Sequence, residues 1–318
     1  MRAAAAIATG HLAAVPTETV YGLGALANNA RAVARIYAVK GRPADHPLIV
    51  HVADAVAFGA WGVHIPIYAH ALAATFWPGP MTLVVPRSKR AKDFVTGGQD
   101  SVAIRVPSHL DMRAVLLELR ELTKDSAVGI AAPSANRFGR VSPTSVAHVL
   151  DEIGELLLDD DVVLDGGDCA VGVESTIIDC TGPNPRMLRP GAITTQDVEL
   201  ATDLKVTHDS PVRASGTLTS HYSPTATVQL LSAADVAYEV AGAGQGVIGL
   251  LALAAVPTPS GVVRLAVPRD AQEYARVLYA ALREADALQL ESVLAVPPAA
   301  DGVGVAVIDR LIRAAAGA

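Results

Sequence analysis

A chain of 318 residues is long enough for one large domain or two ordinary ones with a sizeable core. Hydrophobic residues at 51% against 18% charged, with 26 Gly and 20 Pro dispersed along the chain, exclude a disordered or fibrous protein. A formal charge of −7, from 25 Lys and Arg against 32 Asp and Glu, argues against a broad electrostatic grip on nucleic acid or anionic lipid, so any anion site has to be a local cluster. The only cysteines are Cys169 and Cys180, with no CxxC and no His pair at zinc-ligand spacing, which points to a reduced, cytoplasmic protein whose thiols are buried filler.

The Ala-rich start is interrupted by Thr9, Gly10 and His11 and reads as a first helix rather than a signal peptide. The longest apolar stretch, 246–256, falls well short of the roughly 20 residues a membrane span needs. Strand-like runs follow at 47–52, 81–86, 101–106, 128–132, 162–164 and 175–179. Helices lie between them. One is capped by Asn29, with Val33, Ile36 and Tyr37 on its apolar face; one by Ser108, with Met112, Val115, Leu116 and Leu119; one by Thr144, with Val146, Val149, Leu150 and Ile153. After a short helix near 195–200, periodicity lapses over a Thr-, Ser-, Pro- and Gly-rich stretch. It resumes as strand 227–231, a helix from Ala233, strands 246–251 and 262–267, a helix from Asp270 with Glu273 completing a capping box and Tyr274, Val277 and Leu278 facing inward, strand 292–296 and a last helix. Strands alternating with helices imply α/β architecture. The expected organisation is a catalytic domain over 1–200, a linker over 201–224 and a smaller parallel-sheet α/β domain over 225–318.

Four polar clusters stand out. In PTETVYGLG (16–24) and KGRPADHPLIVH (40–51), Lys40 at a helix end and Arg42 in the next loop are either ordinary solvated cations or the cradle of a polyanion. Ser101 and Arg105 share one face of a strand, and a charge on an apolar strand needs a partner, either a structural carboxylate or an anionic ligand. The segment AAPSAN (131–136), with Ser142 shortly after, follows a strand at its carboxyl end, where open α/β sheets bind ligands; turn formation accounts for it equally well. In GVESTIID (172–179) and LRPG (188–191), Ser175 begins a strand and Arg189 ends one, while Glu174 reads as paired or solvated rather than as a base. Asp165 and Asp168 flank a Gly-Gly turn. There is no GxxxxGK, GxGxxG, GxSxG or HExxH motif, so the chemistry expected is that of holding charged reactants together.

Taken in order, PTETVYGLG, KGRPADHPLIVHV, MTLVVP, SVAIRVP, IAAPSAN, SPT, GVESTIID and MLRPG resemble the motif series of the YrdC-like family. SGTLTSHYSP (215–224) and GVGVAVIDRLIRAA (302–315) extend the likeness to the long, two-domain L-threonylcarbamoyladenylate synthases. The resemblance implies a twisted mixed sheet with helices, followed by a Rossmann-like domain. It also implies an enzyme that condenses L-threonine, bicarbonate or CO2 and ATP, with Mg2+ on the phosphates, into threonylcarbamoyl-AMP and pyrophosphate. The product passes to a separate tRNA-modifying transferase; no membrane and no stable tRNA partner is expected. By the same resemblance Thr19, His51, Arg105, Ala132 and Ser175 hold threonine. Arg42, His46, Ser101, Ser134, Ser142 and Arg189 hold ATP; Lys40, Arg42, Ser134 and Asn136 form the catalytic quartet; and His221 and Tyr222 fold over the phosphates. No protein metal ligand is expected. Two departures stand: the family usually has Asn where this chain has His46, and the chain starts close to PTETVYGLG, so that a leading strand is missing or lies upstream. The alternative from another class is a non-catalytic double-stranded-RNA-binding module of the same fold, against which the acidic balance speaks.

Overall fold

A computed structural model describes residues 2–218, 221–242 and 247–317. Met1, Thr219 and Ser220 of the expected linker, residues 243–246 with the expected strand start at Gly246, and Ala318 lie outside the described residues. The chain forms two compact units. The first comprises Met1–Phe138, Pro143–Ala170 and Glu174–Thr217, and the second Gly139–Ser142, Val171–Val173 and Leu218–Ala318.

The first unit is built on one mixed sheet of nine strands: β1 (Ala13–Val15), β2 (Gly22–Leu26), β3 (Ile49–Val52), β4 (Met81–Pro86), β5 (Ser101–Arg105), β6 (Gly129–Ala131), β7 (Val162–Val163), β8 (Thr176–Asp179) and β9 (Arg186–Arg189). Their order is β7-β1-β2-β6-β3-β5-β4-β8-β9, with β1–β7, β3–β5 and β4–β8 parallel and the other neighbours antiparallel. Side chains alternate across a strand, so each strand is sorted into two faces. Val50, Val52, Leu83, Val85, Val102, Ile104 and Ile178 enter the main core with Ile36, Phe58, Trp61 and Leu72 from the helices. The intervening residues Ile49, Val84 and Ile177 lie in a separate small cluster, against which Ala103, Leu188, Val212 and Ala214 pack. That second face carries the polar residues.

Local signals place the neighbouring helices. Asn29 accepts from the Ala32 amide at 3.1 Å and starts the helix Ala30–Lys40, and Gly41, at φ 61°, ends it in the left-handed conformation that glycine tolerates. Two expected caps move by one residue. His109, not Ser108, caps Leu110–Thr123, its Nδ1 accepting from the Asp111 amide at 3.3 Å, while the Ser108 amide donates to the Glu18 carboxylate. Ser145, not Thr144, caps Val146–Ile153, the Thr144 amide donating instead to His148 Nδ1. Leu150 is 51% exposed and leaves the core face to Val149 and Ile153. Strands β1 and β2 carry too little β-branched character to be read from sequence. Gly24 in β2 is required sterically, since a Cβ there would meet Ile130 Cγ2 at 2.8 Å.

The second unit contains a parallel sheet of β10 (Thr227–Leu230), β11 (Ile248–Leu251), β12 (Val263–Ala266) and β13 (Ser292–Ala295), in the order β10-β13-β11-β12. This is the parallel α/β arrangement expected. The first helix begins at Val236 rather than Ala233, after a turn in which Ser232 Oγ bonds Asp235 Oδ2. Asp270 caps Ala271–Ala287, but Glu273 reaches back to the Arg269 amide rather than to the cap residue's own. Tyr274 and Leu278 are buried as expected, and Val277 is half-buried. Among the described residues no helix is long and apolar enough to cross a membrane.

Candidate functional site

At the carboxyl ends of β3 and β5, His51 and Arg105 are register partners, and both are buried. Arg105 donates from Nη1 to Thr19 Oγ1 at 2.9 Å and from Nε to the Gly79 carbonyl at 3.2 Å. Its Nη2 faces Glu18 Oε1 at 2.8 Å, and Glu18 Oε2 accepts from the Ser108 amide at 3.2 Å. The structural carboxylate that sequence left as one of two partners for Arg105 is therefore Glu18. Its only sequence signal was its place beside Thr19 in PTETVYGLG. Burial pushes the Glu18 carboxyl up, but the adjacent guanidinium and the backbone amides of Glu18 and Ser108 more than offset this, so it titrates below the ordinary range. Burial, and then the charge of Arg105, push His51 down to about 3, leaving it neutral near pH 7. Glu18 Oε1, Arg105 Nη2 and His51 Nδ1 are buried without a hydrogen-bond partner among the described residues. Native interiors rarely leave such atoms unsatisfied, and three in one place mark a ligand position.

The neighbouring strands continue the row. Thr82 on β4 shares a hydrogen bond of 2.7 Å with Ser175 Oγ at the start of β8. Arg189, closing β9, grips Ser175 with Nε and Nη2 on its carbonyl at 3.1 and 2.9 Å and Nη2 on its hydroxyl at 3.1 Å, and donates from Nη1 to the Ser215 carbonyl at 2.8 Å. Arg42 donates to Ser215 Oγ and to the Pro47 carbonyl, each at 3.0 Å, and its guanidinium lies 5.7 Å from the Phe138 ring centroid. Two of the expected triphosphate ligands thus converge on one serine of the expected linker. His46 also packs edge to face with Phe138, ring centroids 5.3 Å apart; partial burial and the nearby Arg42 lower its pKa. Ser101 lines a small hollow with Pro47, Ala103, Ala214 and Ser215.

Lys40 is fully enclosed and donates to the carbonyls of Ser134, at 2.7 Å, and Asn136. Burial, and then the charge of Arg42, lower its pKa well below the usual value for lysine. Ala132 is buried next to the start of β3, its amide donating to the Ile49 carbonyl at 3.0 Å. Ser134 is half-buried and bridges to Gly22, where a Cβ would meet Ala132 Cβ at 3.2 Å.

Ser142, His221 and Tyr222 belong to the second unit and are described within it. There His221 and Tyr222 pack edge to face at 4.1 Å, Tyr222 stacks on Tyr279 at 5.6 Å, and the Arg310 guanidinium lies 5.3 Å from the Tyr222 ring. Glu174 is buried in the first unit, and Asp165 accepts from the Gly167 amide in the expected turn. Cys169 and Cys180 are free and buried.

One expectation changes. Ala132 and Ser134 follow the carboxyl end of β6, which runs antiparallel to β3, whereas His51 and Arg105 sit at the carboxyl ends of β3 and β5. The strand ends point opposite ways, so the candidate site runs along the polar face rather than outside one carboxyl edge. From Ser101 to Arg105 that face extends about 13 Å at the rise of a strand.

Residues 5–191 match the family model described as "Telomere recombination", and residues 191–316 match "Threonylcarbamoyl-AMP synthase, C-terminal domain". The threonylcarbamoyl-AMP synthase of Pyrococcus abyssi is 37% identical, the alignment covering 98% of this chain and 92% of the relative; that of Bacillus subtilis is 35% identical over 99% and 92%. A crystal structure of P. abyssi Sua5 complexed with L-threonine superposes with a TM-score of 0.84 at 36% identity, covering 99% of this chain and 93% of that one. With both units matched from end to end, this chain belongs to the threonylcarbamoyl-AMP synthase family.

Proposed function

We propose that the chain condenses L-threonine, CO2 or bicarbonate and ATP into threonylcarbamoyl-AMP and pyrophosphate. The observation that carries this reading is the row of buried cations and hydroxyls on one sheet face, with orphaned polar atoms at the Arg105 end and guanidinium groups converging on Ser215 further along. Arg105 takes the threonine carboxylate in charge-assisted hydrogen bonds, with Thr19, His51, Ala132 and Ser175 around the amino acid. Arg42, Arg189, His46, Ser101, Ser134 and Ser142 take the nucleotide. The threonine α-ammonium gives up a proton, and the free amine adds to CO2, or to bicarbonate with loss of water, releasing a second proton from nitrogen as the carbamate forms; a carbamate oxygen attacks the α-phosphorus, and the bond to pyrophosphate breaks. No protein nucleophile is needed. The protein's contribution is alignment of the reactants and stabilisation of charge passing to the leaving group, in which Lys40 and Asn136 complete the quartet.

Mg2+ fits this site as a companion of the triphosphate. Among the described residues no group of three or more His, Cys, Asp or Glu side chains is placed to hold a metal ion, so phosphate oxygens and water would supply its ligands. The product is a reactive mixed anhydride and passes to a separate transferase acting on tRNA, in the cytoplasm. Full-length protein incubated with ATP, Mg2+, bicarbonate and L-threonine is expected to release pyrophosphate only when threonine is present; release that ignores threonine overturns the reading.

A further inference from the structure

Arg105 is held unlike a simple carboxylate receptor. Its Nη2 faces Glu18 Oε1 at 2.8 Å as an ion pair, and among the described residues neither atom has an aligned hydrogen-bond partner, which leaves a second hydrogen of Nη2 and a lone pair of Oε1 for a ligand. Glu18 is 7% exposed, and its other oxygen is already engaged by the Ser108 amide. A buried carboxylate oxygen with unused lone pairs beside a guanidinium with an unused donor presents two opposite charges side by side. An α-amino acid zwitterion presents the matching two on a single carbon.

We propose that Glu18 Oε1 receives the α-ammonium group of the amino-acid substrate while Arg105 receives its carboxylate, making Glu18 a specificity-determining residue for amino acids over other carboxylic acids. This rests on the threonine reading above. The arrangement recognises a neutral whole by its two charged halves. The empty site holds a compensated ion pair, and the occupied site holds two, so neither state buries a net charge. A carboxylic acid lacking the amine would satisfy Arg105 and leave Glu18 Oε1 orphaned, which is how a buried polar group rejects a near-isostere. The Glu18 carboxyl titrates below the ordinary range, which keeps it ionised at neutral pH for this role.

The test is calorimetric titration of the full chain with L-threonine and with 3-hydroxybutanoate, the hydroxy acid that has hydrogen in place of the α-ammonium group. Wild type is expected to prefer threonine. Glu18→Gln is expected to lose threonine affinity by roughly tenfold to a hundredfold while its affinity for the hydroxy acid stays near the wild-type value, so that discrimination collapses. If Glu18→Gln weakens both ligands by the same factor, Glu18 only positions Arg105 and the proposal fails; unchanged affinity for both also overturns it. Should Glu18→Gln not fold by circular dichroism, Glu18→Asp, which draws the carboxylate back by one methylene, carries the same comparison, and undiminished preference for threonine overturns the proposal. Wild type that binds neither ligand removes the threonine reading, and this inference with it.

Discussion

Replacing Arg105 by Ala separates what this residue does for the fold from what it does for the ligand. Removal leaves the carboxylate of Glu18, a residue only 7% exposed, without its countercharge, and deletes the bonds to Thr19 Oγ1 and the Gly79 carbonyl. Breaking a buried pair from one side costs about 3–5 kcal/mol. The loss depends on pH with a definite sign. In the wild type Glu18 titrates below its unfolded value, so its contribution is present above about pH 4.5 and fades as the carboxyl is protonated. Without Arg105 the dominant influence on Glu18 is burial, which raises its pKa, so the variant regains stability on acidification. The gap between the two proteins is therefore widest at pH 7 and above. Denaturant midpoints at pH 7.5 and pH 5 read this out. The ligand effect is measured separately as the threonine KM of pyrophosphate release, expected to rise roughly tenfold to 150-fold for a lost charge-assisted bond of about 1.5–3 kcal/mol. The pair Glu18→Gln with Arg105→Met removes the orphaned charge and is expected to recover much of the stability without recovering threonine affinity. An Arg105→Ala protein with a lower midpoint and an unchanged threonine KM would refute the ligand role and leave Arg105 as scaffolding.

His51, held neutral down to about pH 3 by burial and Arg105, binds a proton in the unfolded chain below about 6.5 but not in the folded one, so folding stability drains away as pH falls through that window. Between pH 6 and 4 the wild type is expected to lose about 1.4 kcal/mol per pH unit more than His51→Asn, and parallel slopes would show that His51 is not the titrating group. Arg189→Lys replaces a fork that spans Ser175 and Ser215 with a point charge; a rise of roughly tenfold in the ATP KM, with a smaller change for threonine, is expected, and an unchanged ATP KM argues against a nucleotide role. Lys40→Met keeps the buried stem but strips the carbonyls of Ser134 and Asn136 of their donor, for an expected loss of about 1–3 kcal/mol in thermal or denaturant unfolding together with turnover; a variant as stable as wild type would mean those carbonyls find another partner.

Periodicity places a few residues of this site, and the resemblance of the motif series supplies the rest. The alternation in Ser101–Arg105 places Ser101 and Arg105 on one face, and the structure confirms the face by sorting Val102 and Ile104 into the opposite core. Asn29 caps its helix as expected, which sets Lys40 in the last turn and Arg42 just beyond it. What periodicity does not carry is the third dimension. Glu18 lies 87 positions from Arg105 in the chain, and nothing local to either names the other. The return of Ser215 to Arg42 and Arg189 is hidden for the same reason: residues 205–217 have no repeating apolar pattern, and only two of them, Val212 and Ala214, pack on the sheet face. The direction of β6 relative to β3 is a property of strand order, so a rule built on parallel sheets misplaces AAPSAN.

The way the cations are held separates the two ends of the face. Lys40 donates to the carbonyls of Ser134 and Asn136, Arg42 to that of Pro47, and Arg189 to those of Ser175 and Ser215. A carbonyl dipole orients a cation without cancelling its charge, and three such cations are gathered at this end in a protein whose overall charge is −7. At the other end Glu18 stands against Arg105, and the pair is neutral as a whole. A triphosphate is a concentrated anion and is drawn to uncancelled charge; a zwitterion has no net charge and is drawn to separated charges at matching positions. On the reading proposed above, the end where Arg42 and Arg189 meet Ser215 receives the first, and the end where Arg105 faces Glu18 receives the second.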